Sequence, residues 1–300
     1  MSLPAQLVAL MLTEHVREPF VGPVLAYGKQ SMNIRFDGML DMFKALGIAP
    51  DPAGLADPPP ADTYVDFARL LKLLGLGELY TLDVSPYEGA DIVADLNLPV
   101  PPELVGRFGL IVDGGTLEHV FDIRQGMKNT ADLLRPGGRS IHASPVNNYV
   151  NHGFVQISPT LYYDYYVEND FDDVRGIMIV QPRAEILYLG WNFFYYDHAT
   201  MSGESSMFCA SGTQLGIYFT ARKTPASTSG RVPMQSYFTR AHAGATAPKH
   251  KIAITHDQTL PKFEYVAEHA REAGVAIHDI VHVGFGSTRG PTRVELEAGR

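Results

Sequence analysis

The sequence predicts an α/β fold: a doubly wound, mostly parallel sheet with an antiparallel edge strand, followed by a small C-terminal β-α-β appendage. Three observations carry this. Short apolar runs that end in an acid alternate with amphipathic helical patterns along the first half, as parallel strands joined by crossover helices require. The stretch Phe108-Gly-Leu-Ile-Val-Asp-Gly-Gly-Thr-Leu-Glu-His-Val-Phe-Asp122 joins an apolar strand to a glycine-containing loop and a helix. Two β-rich runs, Val174 to Gln181 and Gln214 to Arg222, then follow with the character of an antiparallel edge pair.

The elements are read in order. Residues 3–17 form a helical pattern. Gly22-Pro-Val-Leu-Ala-Tyr-Gly28 is a short first strand ending in a turn. The Pro-, Ala- and Asp-rich stretch from Asp51 to Ala61 reads as a surface loop. Tyr64 to Leu74 places Val65, Leu70, Leu71 and Leu74 at helical spacing. Leu79 to Leu82 is a strand ending at Asp83, and Ala90 to Ala94 is another ending at Asp95. The strand at 109–113, a helix at about 123–134 and a strand at 139–144 complete the parallel part. Ser158 to Asn169 is an aromatic-rich helix. The Ser-, Thr-, Ala-, Gly- and Pro-rich stretch 224–250 reads as a linker, and 251–300 as the small β-α-β unit with its tail. The predicted organisation is therefore an N-terminal helix or lid over 1–20, a ligand-binding domain over 21–223, the linker and the C-terminal unit. That unit is expected either to extend the sheet or to mediate contacts in a homodimer.

Composition narrows the function classes. The chain has 300 residues, 45% of them hydrophobic, enough for one large core with a small appendage. The formal net charge of -9 argues against a nucleic-acid polyanion as the main partner, because a phosphate binder normally carries a basic face. The single cysteine, Cys209, can form neither an intramolecular disulfide nor a cysteine-rich metal site, which fits a reducing cytoplasm. The apolar N-terminus lacks the positive segment and cleavage site of a signal peptide. No run approaches the about 18 apolar residues that cross a bilayer. A small-molecule substrate, with neither nucleic acid nor membrane as partner, is the expectation.

The order of these motifs resembles the class I S-adenosylmethionine-dependent methyltransferases, which have a Rossmann-like fold. The resemblance covers about residues 20–223 and is best over 79–145. Asp113-Gly-Gly-Thr-Leu-Glu-His119 is similar to the family's fourth-strand motif, Leu134-Arg-Pro-Gly-Gly138 to the turn before its fifth strand, and Asp91 to Pro99 to its adenine-side segment. The departure is at the first strand. Where the family has an acid followed by Gly-x-Gly-x-Gly, this chain reads Ala26-Tyr-Gly-Lys-Gln-Ser31, and only Gly28 survives.

The resemblance implies S-adenosylmethionine as cofactor, with Asp83 accepting from the ribose hydroxyls and Asp95 contacting the adenine. Gly28, Gln30, Asp113, Gly114 and Glu118 complete the expected cofactor contacts. His119, just beyond the fourth strand, and His152 are the candidate general bases, since a histidine titrates near neutrality. Asn147, Asn148, Tyr162 and Tyr166 are expected on the acceptor side, with rings around a cationic sulfonium. Plainer readings stand beside each: Asp as a turn or cap residue, Asn as a turn former, and tyrosine as core. Asp197-His198 with Glu204 matches no metal motif, so no metal is expected. Gly284 to Gly290 lacks the ending of a phosphate loop. The implied activity is methyl transfer to a small molecule in biosynthesis. The damaged first-strand motif keeps two alternatives open. One is cyclisation of the cofactor to azetidine-2-carboxylate with release of methylthioadenosine. The other is a non-catalytic binding protein on the same fold.

Overall fold

A computed structural model describes residues 2–182, 191–198 and 213–242. Residues 251–300, Glu204 and Cys209 lie outside them, as does the end of the expected linker.

The chain begins with β1 (Ser2–Leu3) and α1 (Ala5–Arg17), then β2 (Val24–Tyr27) and β3 (Ser31–Met32). Three helices follow: α2 (Phe36–Ala45), α3 (Pro52–Leu55) and α4 (Phe67–Leu73). Next come β4 (Leu79–Asp83), β5 (Ile92–Val93), β6 (Phe108–Asp113), α5 (Ile123–Leu133) and β7 (Leu134–Asn147). The rest is α6 (Pro159–Glu168), β8 (Asp172–Pro182), β9 (Asn192–Tyr195), β10 (Thr213–Arg222) and α7 (Ser236–His242).

The main sheet has the order β5-β4-β2-β6-β7-β10-β8-β9. From β5 to β7 all neighbours are parallel, whereas β10 runs antiparallel to both β7 and β8, and β9 antiparallel to β8. The expected edge pair is therefore present, with β10 inserted between β7 and β8. The strand order reverses between β2 and β6, which is where open α/β sheets bind ligands. A separate two-stranded sheet sets Leu3 of β1 beside Met32 of β3.

Residue alternation on the central strands produces two apolar layers. Val24, Ala26, Leu110 and Val112 face a core shared with α1, α2 and α4. Leu25, Tyr27 and Ile111 face the other, with Met127 and Ala131 of α5 and the tyrosines of α6. β6 is buried at every position, which explains why it reads as an unbroken apolar run. Helix starts follow local capping: the Asp122 carboxylate accepts from Gln125 N–H at 3.0 Å, and that of Asp66 from Arg69 N–H at 2.7 Å.

Three sequence expectations change. The 51–61 loop contains the single turn α3, capped by Asp51, whose carboxylate accepts from Ala53 N–H. Arg135-Pro-Gly-Gly138 lies within β7, where the pairing jumps from Phe108 opposite Leu134 to Leu110 opposite Arg139. It is a bulge in a continuous strand rather than a free turn, with Gly137 at φ +81°. The start of the expected linker is tied down: Thr228 N–H donates to Asn169 C=O at 2.9 Å and Tyr165 Oη to Ser229 C=O at 2.9 Å. Among the described residues, no helix is long and apolar enough to cross a membrane.

Candidate functional site

The carboxyl ends of β4, β5, β2, β6 and β7 converge at the reversal point. Gly28 turns the chain out of β2 at φ +67°, a conformation that glycine adopts without penalty, and its N–H donates to Leu82 C=O at 2.7 Å. Gln30 then folds its side chain back into the crevice and is buried. Its Nε2 donates to Tyr27 C=O at 2.6 Å, while its Oε1 accepts no hydrogen bond from the described residues. A Cβ placed on Gly114 would lie 2.3 Å from that oxygen. The Gln30 amide thus occupies the space that a Cβ on Gly114 would take. Thr116 Oγ1 also donates to Tyr27 C=O, at 3.2 Å, stitching the ends of β2 and β6 together.

Asp83 and Asp95 stand at the tips of neighbouring strands β4 and β5, and both are half-buried. Each has one oxygen in a local turn: Asp83 Oδ1 accepts from Ser85 N–H at 3.0 Å, and Asp95 Oδ1 from Asn97 N–H at 2.8 Å. The Asn97 backbone and side-chain donors hold the Asp95 carboxyl below its ordinary range. The plain turn-forming role is present at both positions, and at each it is made by Oδ1.

Asp113 is fully buried and saturated. Its Oδ1 accepts from Thr116 N–H at 2.7 Å, with longer approaches from Gly115 and Leu117 N–H, so it caps the turn beyond β6. Its Oδ2 pairs with His142 Nδ1 at 2.9 Å, and His142 Nε2 lies 2.6 Å from Tyr166 Oη. With Nδ1–H donating to the acid, Nε2 is left to accept from the tyrosine. Asp113 therefore holds the loop instead of offering an oxygen to a ligand. His142 escaped the sequence reading; its only signal is a histidine inside an apolar strand pattern.

Tyr162 and Tyr166 are corrected with it. Both are fully buried on the α6 face that packs on β7 and β10, and the Tyr162 hydroxyl is 2.7 Å from Ser144 Oγ. The Tyr162 ring stacks on His142 at 4.7 Å and on Phe219 at 5.0 Å. These tyrosines are core, and the structure does not bring them to an acceptor surface.

Glu118 lies on the short 3-10 turn Leu117–His119 and is almost wholly buried. Burial first, and then the Asp113 charge, push its carboxyl up to about 8. Its Oε2 has no hydrogen-bond partner among the described residues. A Cβ on Gly115, itself at φ +109°, would lie 3.0 Å from Glu118 Oε1. The Gly114-Gly115 pair is thus flanked by two buried oxygens with no hydrogen-bond partner among the described residues, Gln30 Oε1 and Glu118 Oε2.

The loop after β7 closes over Glu118. Phe154 N–H donates to Glu118 C=O at 2.7 Å, and a Cβ on Gly153 would meet that carbonyl at 2.7 Å. Asn148 and Asn151 take left-handed backbone at φ +63° and +66°. Asn147 and Asn148 are exposed at the rim, where Asn148 N–H donates to Asn147 Oδ1. This loop brings His152 to His119, with ring centroids 5.1 Å apart. Burial and then the neighbouring His152 hold the His119 imidazole below the ordinary histidine value. The exposed rings of Phe121 and Phe154, centroids 5.6 Å apart, add an apolar rim that the sequence reading missed.

No known family model matches the chain, and no curated protein is similar to it. Solved structures are similar at low identity. One is the CMeT domain of the citrinin polyketide synthase, at 11% identity and TM-score 0.39 over 73% of this chain and 52% of that one. The chain thus spans about half the length of that structure. Another is the 1,6-didemethyltoxoflavin-N1-methyltransferase of Burkholderia thailandensis, bound to S-adenosylhomocysteine, at 16% identity and TM-score 0.33 over 72% and 76%. A third is a SAM-dependent methyltransferase from Archaeoglobus fulgidus, at 15% identity and TM-score 0.36 over 72% and 93%. The Rossmann-like fold of this chain stands on its own strand order and on the reversal between β2 and β6.

Proposed function

We propose that this chain is an S-adenosylmethionine-dependent transferase that moves a methyl group to a small-molecule acceptor. The observation that carries the reading is the pair of unsatisfied buried oxygens, Gln30 Oε1 and Glu118 Oε2, on either side of Gly114-Gly115 at the strand-order reversal. A buried acceptor without a donor costs about 1–3 kcal/mol. A ligand that brings a cationic nitrogen or sulfonium there recovers that cost. Gly28 has no side chain to stand between its turn and a ligand, and Asp83 and Asp95 offer oxygens to ribose and adenine.

The cofactor supplies an electrophilic methyl group on a sulfonium. Gln30, Gly28, Gly114 and Glu118 hold its amino-acid end, while Asp83 and Asp95 hold the nucleoside. Asp113, locked by His142 and Tyr166, keeps the Gly114–His119 loop from shifting, which matters because transfer depends mainly on alignment. His119, kept neutral, takes the acceptor's proton, with His152 beside it as the second candidate. Asn147, Asn148, Phe121 and Phe154 form the acceptor rim.

Titration calorimetry of the full chain with S-adenosylhomocysteine tests the reading. One site is expected, and Asp83→Ala is expected to weaken it roughly tenfold or more by removing a charged acceptor from a ribose hydroxyl. Absence of heat with both S-adenosylhomocysteine and S-adenosylmethionine, in a folded sample, overturns it in favour of a non-catalytic protein. Methylthioadenosine formed from the cofactor alone replaces transfer with cyclisation.

A further inference from the structure

The geometry points to a divalent transition-metal site formed by Glu118, His119 and His152, at the mouth of the crevice. This goes beyond the transfer reading and competes with it for Glu118 and His119, which cannot ligate an ion while holding the cofactor's amino end or taking a proton, and it departs from the expectation of a metal-free protein. One ligand atom from each of the three side chains falls within 4.8 Å of the others. The carboxylate comes from the base of the site and is almost wholly buried, and the two imidazoles are exposed above it. Glu118 Oε1 is 3.5 Å from His152 Nε2, too far for a strong hydrogen bond, and Oε2 has no partner among the described residues. A buried carboxyl with an oxygen unsatisfied among the described residues, facing two exposed imidazoles that meet each other and, for His152, the Tyr149 ring, has the donor composition of a borderline metal.

The placement is built by the fold. Asp113 caps the turn that carries Glu118 and His119. Gly153, at φ +74°, allows the following chain to lie against the Glu118 carbonyl, where Phe154 and Val155 N–H donate to it. That contact brings His152 over Glu118, although the two histidines lie on different loops. Ligand atoms bound to one ion at about 2.1 Å are about 3–4 Å apart. The imidazoles must therefore move inward by about 1 Å, which exposed side chains can do without disturbing the core. Three protein ligands leave at least one coordination position open toward solvent. Zn²⁺, Co²⁺ and Ni²⁺ suit this nitrogen and oxygen set better than Mg²⁺ or Ca²⁺, which prefer oxygen alone.

The test is made on the full, untagged chain, freed of metal and without S-adenosylhomocysteine, so that its outcome is separate from that of cofactor binding. Co²⁺ is added while its visible ligand-field bands are followed, and Zn²⁺ is titrated by calorimetry. One equivalent is expected to bind, with the Co²⁺ bands showing coordination by nitrogen, and Mg²⁺ is expected not to compete. His119→Ala and His152→Ala are each expected to weaken binding at least tenfold. Both side chains are exposed, so neither change should disturb folding, and an unchanged melting temperature without metal checks this. Glu118→Gln is expected to weaken binding as well. No stoichiometric binding overturns the site. Binding that survives both histidine substitutions at full affinity also overturns it, by locating the metal elsewhere on the chain.

Discussion

Replacing Gly109 with alanine is expected to destabilise the protein by more than about 3 kcal/mol, and to lower its melting temperature by on the order of 10 °C in a chain of this size. The reason is a backbone contact. Gly109 sits in the fully buried strand β6, and a Cβ there would lie 2.2 Å from the carbonyl oxygen of Val21 and 2.9 Å from that of Gly22. Neither atom belongs to a flexible side chain that can swing aside. The entry segment of β2 would have to move, and it is held by the Gly109 N–H to Pro23 C=O hydrogen bond at 2.9 Å and by the Val24–Leu110 pairing. Because β2 and β6 flank the crevice, ligand binding should fall with stability. Gly77→Ala is the control. Nothing lies within 4 Å of its added Cβ and its φ is not in the left-handed region, so it is expected to be neutral or slightly stabilising. Urea melts of both variants beside the parent protein measure the contrast. Equal midpoints for Gly109→Ala and the parent would contradict the close approach.

Much of this fold was legible because buried parallel strands leave a strong trace. The runs ending at Asp83 and Asp113 correspond to β4 and β6, and the aromatic segment after Ser158 to α6. Helix α2 was not read, although Phe36, Met39, Met42 and Phe43 keep its period, because Gly38 interrupts its helical preference. The site was legible in one dimension only. Spacing places Tyr162 and Tyr166 on one helix face, and they do share one. Spacing cannot say that this face packs inward against His142 and Ser144 of β7. Asp113 was read as a ligand contact because an acid at a strand end looks the same whether it faces a ligand or a buried histidine. Gln30 marked an altered turn, but the fold-back of its amide onto Tyr27 C=O depends on the missing Cβ of Gly114, far away in sequence. The approach of His152 to His119 similarly depends on how one glycine lets a loop lie on another. Pairings between loops leave no period to detect.

Arg139→Met is expected to cost about 3 kcal/mol near pH 7 and to make the protein markedly more sensitive to acid. Arg139 is buried at the junction of α1 with the antiparallel half of the sheet. Its guanidinium reaches Glu14 Oε1 at 3.0 Å, Asp173 Oδ2 at 2.6 Å, Glu18, and Thr220 Oγ1 at 3.2 Å. Arg17 and Arg175 share Glu14 and Asp173, while Arg222 pairs with Glu18 and Asp172. Acids and arginines balance in this cluster, and removing the most buried arginine leaves a net negative charge in a poorly solvated place. Burial alone would raise the Asp173 carboxyl, but Arg175, Arg139 and Arg17 outweigh it and hold it below its ordinary range. A carboxyl lowered on folding contributes stability at pH values above its unfolded pKa, and that contribution disappears as pH falls through its folded pKa. The parent protein should therefore keep its α1 anchor well into the acid range. In Arg139→Met the Asp173 carboxyl loses one of the charges that lower it, so the acid limb of the stability curve should move to higher pH. Arg139→Lys should restore the charge but only part of the stability, because an ammonium cannot fork between carboxylates as a guanidinium does. Urea midpoints from pH 3 to 8 separate these outcomes: parallel curves for parent and Arg139→Met would mean that the loss is one of packing alone.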